Sequence, residues 1–241
     1  MAEQIPQRVG KLIDALKDSH VSAAWNAARE LAKLGPEARS AMSALEDALG
    51  GKDRTTALWA RFALAKINDD AAGQLPFFIE ALSEKRYIWA GMASAALSGF
   101  GRDAADAVPA LIPELSSRRT DDRWAAAWAL GSIGKAAAGA ESALLNALED
   151  ADEKVRWYAA WALGQIGAST PDAVAALLRA LDDTDDDVRG YAALALGSMG
   201  AESAEIAAKI GTLLAEDNPN IEQAATEALR RLEETRRSKS V

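Results

Sequence analysis

The chain has 241 residues, 49% of them hydrophobic and 26% charged, with a formal net charge of -9, one histidine and no cysteine. The acidic balance argues against a nucleic-acid partner, which is held by Lys and Arg on its phosphates, and the absence of thiols excludes disulfides and thiolate metal sites. The opening MAEQIPQRVG lacks the basic start and apolar run of a secretory signal, and no stretch of about 18 uncharged apolar residues could span a bilayer, so a soluble, cytoplasmic protein with no membrane partner is expected.

Two leucine columns set the organisation. Stepping 33 residues from Leu31 gives Leu64, Leu97, Leu130, Leu163, Leu196 and Leu229, and stepping from Leu16 gives Leu49, Leu82, Leu115, Leu148, Leu181 and Leu214. A fixed period of this size is the mark of a solenoid, because one repeat cannot bury its apolar face without a neighbour. The expected fold is all-α, an α-α superhelix of seven helix-pair repeats. Their spans are about 3–35, 36–68, 69–101, 102–134, 135–167, 168–200 and 201–233. They form a single solenoid over 1–233, and a short basic tail follows over 234–241.

In chain order, the first repeat ends at Gly35, where a left-handed residue stops a helix cheaply, and Pro36 suits the opening of the next helix. The second ends at Asn68, the next most tolerant residue for that conformation. The third ends at Gly101 and carries Trp89 in a column that points toward the core. The next three close with DDRWAAAWALGSIG, EKVRWYAAWALGQIG and DDVRGYAALALGSMG, at Gly134, Gly167 and Gly200. Their first helices show helical apolar spacing, as in Leu144, Leu145 and Leu148, or Val174, Leu177, Leu178 and Leu181. Acidic turns follow, Glu149-Asp150 and Asp182-Asp183, and the second helices start after Asp152 or Asp185 to Asp187, whose carboxylates can cap free N–H groups. The last repeat is more polar, with Gln223 and Glu227, as a terminal cap requires.

A 3.6-residue turn places each side chain on the second helices. With the column of Ala126, Ala159 and Ala192 as the core direction, the leucine column lies about 40° away and Ile133 and Ile166 about 20° away, both inward. The columns of Trp157 and Trp161 fall about 160° from the core and, four apart, share one outward face. Trp25 with Arg29, Leu58 with Phe62, Trp124 with Trp128, and Gly190 with Leu194 occupy the same two columns. Trp59, Met92, Tyr158 and Tyr191 sit at the edge of that face, and Gly91 and Ala95 interrupt it.

The signature resembles the HEAT-like repeats of the phycobilisome-lyase type, a valine-arginine pair, two alanines, then ALG and a closing glycine. Val155, Arg156, Ala159, Ala160, Ala162, Leu163, Gly164 and Gly167 match it, as do Val188, Arg189, Ala192, Ala193, Ala195, Leu196, Gly197 and Gly200. The chain also resembles artificial α-helicoidal repeat binders. Ala24, Ala57 and Ala90 depart from the pattern where arginine is expected, which puts an arginine ladder in doubt over the first three repeats. The resemblance implies that the second helices line a concave surface, and that Arg123, Arg156 and Arg189 pair with loop carboxylates such as Asp150 and Asp183. It also brings in lyase subunits that attach bilins.

The remaining motifs read as structure. The acidic run Asp182 to Asp187 lacks the glycine and distal glutamate of a calcium loop, and Gly131 to Lys135, GSIGK, ends a helix instead of cradling a phosphate. His20 alone excludes a multi-histidine metal centre. The expectation is therefore a non-enzymatic interaction scaffold, with no cofactor, no metal and no catalytic residue. A protein or peptide partner with basic flanks would dock on the concave face through Trp124, Trp128, Trp157, Tyr158 and Trp161, extended by Trp25, Trp59, Phe62, Tyr191 and Leu194. Two alternatives stand beside it: a bilin lyase or pigment-handling subunit that stacks a flat tetrapyrrole on the tryptophans, and a glycosylase-like protein of DNA-base repair. Self-packing of the aromatics across the curvature is the structural alternative to any docking role.

Overall fold

The computed structural model describes residues 4–18, 20–84, 89–200 and 204–239. The chain divides into two compact units, Met1–Glu84 and Lys85–Val241. The N-terminal unit holds α1 (Ile5–Leu16), α2 (Val21–Leu34), α3 (Met42–Leu49), α4 (Arg54–Asn68) and α5 (Ala71–Ser83). The C-terminal unit holds α6 (Trp89–Phe100), α7 (Val108–Leu111), α8 (Thr120–Ile133), α9 (Glu141–Ala147), α10 (Glu153–Ile166), α11 (Pro171–Ala180), α12 (Asp186–Met199), α13 (Ala204–Thr212) and α14 (Pro219–Lys239). No strand occurs among the described residues, and none of their helices is long and apolar enough to cross a membrane. The fold class is all-α, helix pairs stacked as in an α-solenoid.

Side-chain capping fixes where helices begin. The Asp152 carboxylate accepts the N–H groups of Lys154 at 3.0 Å and Val155 at 3.3 Å, Asp185 accepts that of Val188 at 3.1 Å, and Asp53 accepts that of Thr56 at 2.7 Å. Each satisfies donors that a helix start leaves open. At the other end, Gly134 and Gly167 take φ of 71° and 74°, a region closed to most side chains. The expectation at Asn68 is corrected: α4 runs through it, and Asp69 is the left-handed residue, with φ 55°. Its N–H closes on the Ala65 carbonyl, and the next residue, Asp70, accepts the Gly73 N–H to start α5. Aspartate tolerates this conformation for the same reason as asparagine, a short polar side chain.

The first helices are shorter and partly wound as 3-10 turns, over Gly35–Ala41, Gly101–Ala107 and Gly134–Ala140. Pro113 holds α7 to four residues, since a proline inside a helix removes a donor and clashes with the preceding turn, whereas Pro109 sits in the first turn, where no donor is lost. Helix α14 continues past residue 233 to Lys239, so the basic tail is helical over most of its length.

In the C-terminal unit, α6, α8, α10, α12 and α14 lie side by side in one layer. The leucine column Leu97, Leu130, Leu163 and Leu196 is fully buried beneath it, with Ala126, Ala159 and Ala192. Leu229, on the last helix, is half-buried, and Leu214 in the other column is exposed. The ALG glycines set the spacing. A Cβ on Gly164 would stand 3.0 Å from the Ala195 Cα, and one on Gly197 would stand 2.8 Å from the Ala228 Cα. The layer is thus seated backbone against backbone along a glycine-alanine seam. In the N-terminal unit α2 packs along α4, with Leu31 fully buried and Leu64 half-buried. The side chain of Trp89, assigned to the core from its column, lies outside the described residues.

An arginine ladder ties one repeat to the next in the C-terminal unit. Arg123 donates from Nε to Asp150 at 2.7 Å, and its Nη1 reaches the Ser117 carbonyl at 3.0 Å. Arg156 repeats both contacts, to Asp183 at 2.8 Å and to the Asp150 carbonyl at 3.0 Å. Arg189 does so with Glu216 at 2.6 Å and the Asp183 carbonyl at 2.8 Å. Burial pushes the Asp150 and Asp183 carboxyls up. The bidentate guanidinium of each pair, the N–H groups of Asp152 and Asp185, and the neighbouring arginine outweigh it and hold both below the usual carboxylate range.

Because these carboxyls titrate lower in the folded state, their contribution is complete above the unfolded carboxylate pKa near 4 and disappears as pH falls through the folded values. Urea unfolding of Arg156→Ala is expected to show a loss of about 1–3 kcal/mol at pH 7, together with a shallower decline of stability in acid than the parent protein shows. An acid limb of unchanged steepness in the variant would show the pair to be inert.

Candidate functional site

The outward columns of α8, α10 and α12 bring their aromatic rings into one run. Trp124 stacks on Trp128 with centroids 6.5 Å apart, and across to α10 on Tyr158 at 5.5 Å with an 18° interplanar angle. Trp157 stacks on Tyr158 at 3.6 Å and, across to α12, on Tyr191 at 5.0 Å and 17°. Trp161 meets Tyr158 edge-on at 6.5 Å. Apart from the closer Trp157–Tyr158 pair, these are offset-stacked and edge-to-face pairs at the distances favoured by aromatic quadrupoles.

All of these rings, and Leu194 on α12, are half-buried: neither sealed in the interior nor standing free. Trp161 is seated by shape. The benzo edge of its indole fills the notch at Gly131 on α8, where a Cβ would stand 2.3 Å from the ring. The Trp124 Nε1 donates to Asp121 at 3.1 Å, and the Lys154 ammonium stands 3.7 Å from the Trp124 ring centroid. Burial, with the Tyr191 phenol beside it, pushes the Tyr158 hydroxyl above its usual pKa, so it stays protonated.

The N-terminal unit treats its share of the aromatics differently. Trp25 is half-buried and stacks on Trp59 at 6.4 Å. Trp59 and Phe62, however, are only 6% and 8% exposed. Phe62 packs edge-on against both Trp59 at 5.7 Å and the fully buried Phe78 of α5 at 6.5 Å. The expectation that these two residues line an open groove is corrected: Phe78 of α5 covers Phe62, while Trp25, Phe62 and Arg29 cover Trp59, and both are core. The Arg29 guanidinium lies over both indoles, 5.6 Å from Trp25 and 5.3 Å from Trp59.

The structure thus gathers Trp124, Trp128, Trp157, Tyr158, Trp161 and Tyr191 into one array, with Leu194 one turn on from Tyr191. Sequence reasoning missed the cations seated on the rings. Lys154 reaches Trp124 from the first turn of the following second helix, which a register comparison between neighbouring repeats would have revealed. It also missed the opening beside α12, where Gly190 stands in the tryptophan column and a groove of about 750 Å³ runs toward α14. Among the described residues no three His, Asp or Glu side chains converge as metal ligands.

A family model described as HEAT repeats matches residues 108–197 and 174–240. Among solved structures, the chain is similar to an engineered protein at 22% identity, covering 94% of this chain and 97% of that one, with a TM-score of 0.60. It is similar to a designed armadillo repeat protein in complex with the peptide (KR)4 at 18% identity, covering 95% and 100%, TM-score 0.56. It is also similar to the complex of CpcE and CpcF of phycocyanin lyase from Nostoc sp. at 23% identity, covering 93% and 94%, TM-score 0.54. At these identities the likeness is one of fold. No curated protein matches the sequence.

The notch at Gly131 makes the array sensitive to a single methyl group. Gly131→Ala is expected to push the Trp161 indole outward, with a red-shifted tryptophan emission and a loss of about 1–3 kcal/mol in urea unfolding, the range for overpacked sites. An emission maximum unchanged from the parent protein would show that the ring does not depend on the notch.

Proposed function

The chain belongs to the HEAT-repeat family, and on that premise we propose that it is a non-enzymatic interaction scaffold whose partner, a protein or peptide segment, docks on the aromatic face of α8, α10 and α12. The observation that carries this reading is the half-buried run from Trp128 through Trp124, Tyr158 and Trp157 to Tyr191. Tryptophan and tyrosine in such a run are the side chains most enriched at binding hot spots, each contributing roughly 2 kcal/mol or more once a partner covers it. Trp124, Trp128, Trp157, Tyr158 and Trp161 are the anchors, with Tyr191 and Leu194 extending the footprint. Trp25 is a separate contact on the N-terminal unit. The designed armadillo neighbour, in complex with a peptide, supports a peptide-binding use of such a fold.

A second reading, in which the rings hold a flat bilin, draws on the phycocyanin lyase neighbour. It has no cysteine to work with. Visible absorbance that co-purifies with the protein after incubation with a bilin would favour it over the first.

The scaffold reading is tested by capture from the source lysate on immobilised parent protein and on the Trp124→Ala/Trp157→Ala variant, with thermal melts showing that both are folded. Partner retention is expected to fall at least about tenfold in the variant, as the loss of two hot-spot residues requires. Undiminished retention would overturn the assignment of this face.

A further inference from the structure

The column that holds Trp124 on α8 and Trp157 on α10 holds Gly190 on α12. The aromatic run therefore reaches Tyr191 and stops, and beyond it the groove of about 750 Å³ opens between α12 and α14. Gly190 and Ala224 form its floor. A Cβ on the buried Gly190 would touch only the Ala224 Cβ, at 3.6 Å, an ordinary contact, so the backbone admits a Cβ that the sequence withholds.

The walls of the groove define what fits. Tyr191 and Leu194 supply the apolar side, and around them stand four carboxylates, Asp185, Asp186, Asp187 and Glu227, against one cation, Arg231. Arg231 is already engaged, donating to Glu227 at 2.6 Å and to the Ser198 hydroxyl at 2.6 Å. Asp186 is shared with Arg189 at 2.7 Å, and Asp185 caps α12 through the Val188 N–H. Glu227 is also held bidentately by Arg230 at 2.8 Å, so the negative charge left to the groove is that of Asp185 and the exposed Asp187.

Elsewhere this chain seats cations on its own rings: Lys154 on Trp124, and Arg29 on Trp25 and Trp59. Among the described residues no cation lies over Tyr191. A guanidinium answers both halves of this environment. It is planar and weakly hydrated, so it stacks on a phenol ring, and its edge carries donors for carboxylates, whereas an ammonium offers the charge without the stacking plane. Resting on the reading of this face as a docking surface, we propose that the groove at Gly190 receives an arginine side chain of the docked partner.

The test titrates the full chain with blocked eight-residue peptides of alternating serine and arginine, serine and lysine, and serine and citrulline, followed by calorimetry. The arginine peptide is expected to bind at least about tenfold tighter than the other two, because only it combines charge with a stacking plane. Gly190→Trp, which fills the groove with the residue found in the two preceding repeats, is expected to remove that preference with its melting unchanged. Asp187→Asn, which leaves the packing alone, is expected to weaken the arginine peptide about threefold. Equal affinity for the arginine and lysine peptides, full affinity in both variants, or no binding of the arginine peptide at millimolar concentration would overturn the proposal. Lysate capture separates the two levels. A partner lost from Trp124→Ala/Trp157→Ala but retained in full by Gly190→Trp leaves the docking face standing and removes the arginine groove, whereas a partner that ignores all three substitutions removes the docking face itself.

Discussion

The closeness of neighbouring second helices governs the C-terminal unit. Packed helices ordinarily sit about 8–10 Å apart, with the separation set by the side chains between them. Here Gly131, Gly164 and Gly197 remove those side chains, and the Cα atoms of Ala162, Ala195 and Ala228 come within 3.0 Å, 3.0 Å and 2.8 Å of where a Cβ would be. A spacing fixed by backbone leaves little freedom for the opposite side of the same helices. Rings one repeat apart are brought within stacking distance, Trp124 to Tyr158 at 5.5 Å and Trp157 to Tyr191 at 5.0 Å. The seam that buries the leucine column is thus also what assembles the aromatic face.

A second tie acts at the loops. Each arginine of the ladder holds an acid in the following repeat and a carbonyl in its own preceding turn, so it pins the start of a second helix to the end of the next first helix. Part of the acidity of the chain is therefore internal and spent on structure. The N-terminal unit lacks these arginines at Ala24 and Ala57 and holds its helices by another route. There α5 presses Phe78 against Phe62, and Phe62 against Trp59, an edge-to-face aromatic core beside the leucines.

Most of the architecture was legible because it is periodic. The leucine columns, the capping aspartates and the closing glycines follow from a repeat that returns every 33 residues, and the partners of Arg123 and Arg156 from the resemblance of that repeat to HEAT-like signatures. What escaped the sequence was anything set by a neighbour outside the repeating pattern. Helical geometry turns Phe62 away from the core of its own repeat, but it carries no information that the phenylalanines of α5 close over that side. The left-handed turn at Asp69 escaped for a related reason: two residues of similar tolerance stand side by side, and the hydrogen bond to the Ala65 carbonyl, not the residue type, decides between them. Gly190 read as a gap in a stripe, and only the position of α14 turns that gap into a groove.

The ring-ring contacts and a docking role are compatible because they act on different costs. Each stacked or edge-to-face pair is worth about 0.5–1.5 kcal/mol beyond its area, enough to hold Trp124, Tyr158 and Trp157 in fixed orientations without closing them off. Side chains already ordered in the free protein lose little entropy when a partner arrives, and that saving is a main source of affinity in preorganised interfaces. In an array satisfied by its own members along its length, Tyr191 beside Gly190 is a ring that faces an opening. There the self-packing that stabilises the face gives way to open space, and a partner can add a contact without displacing one the protein already makes.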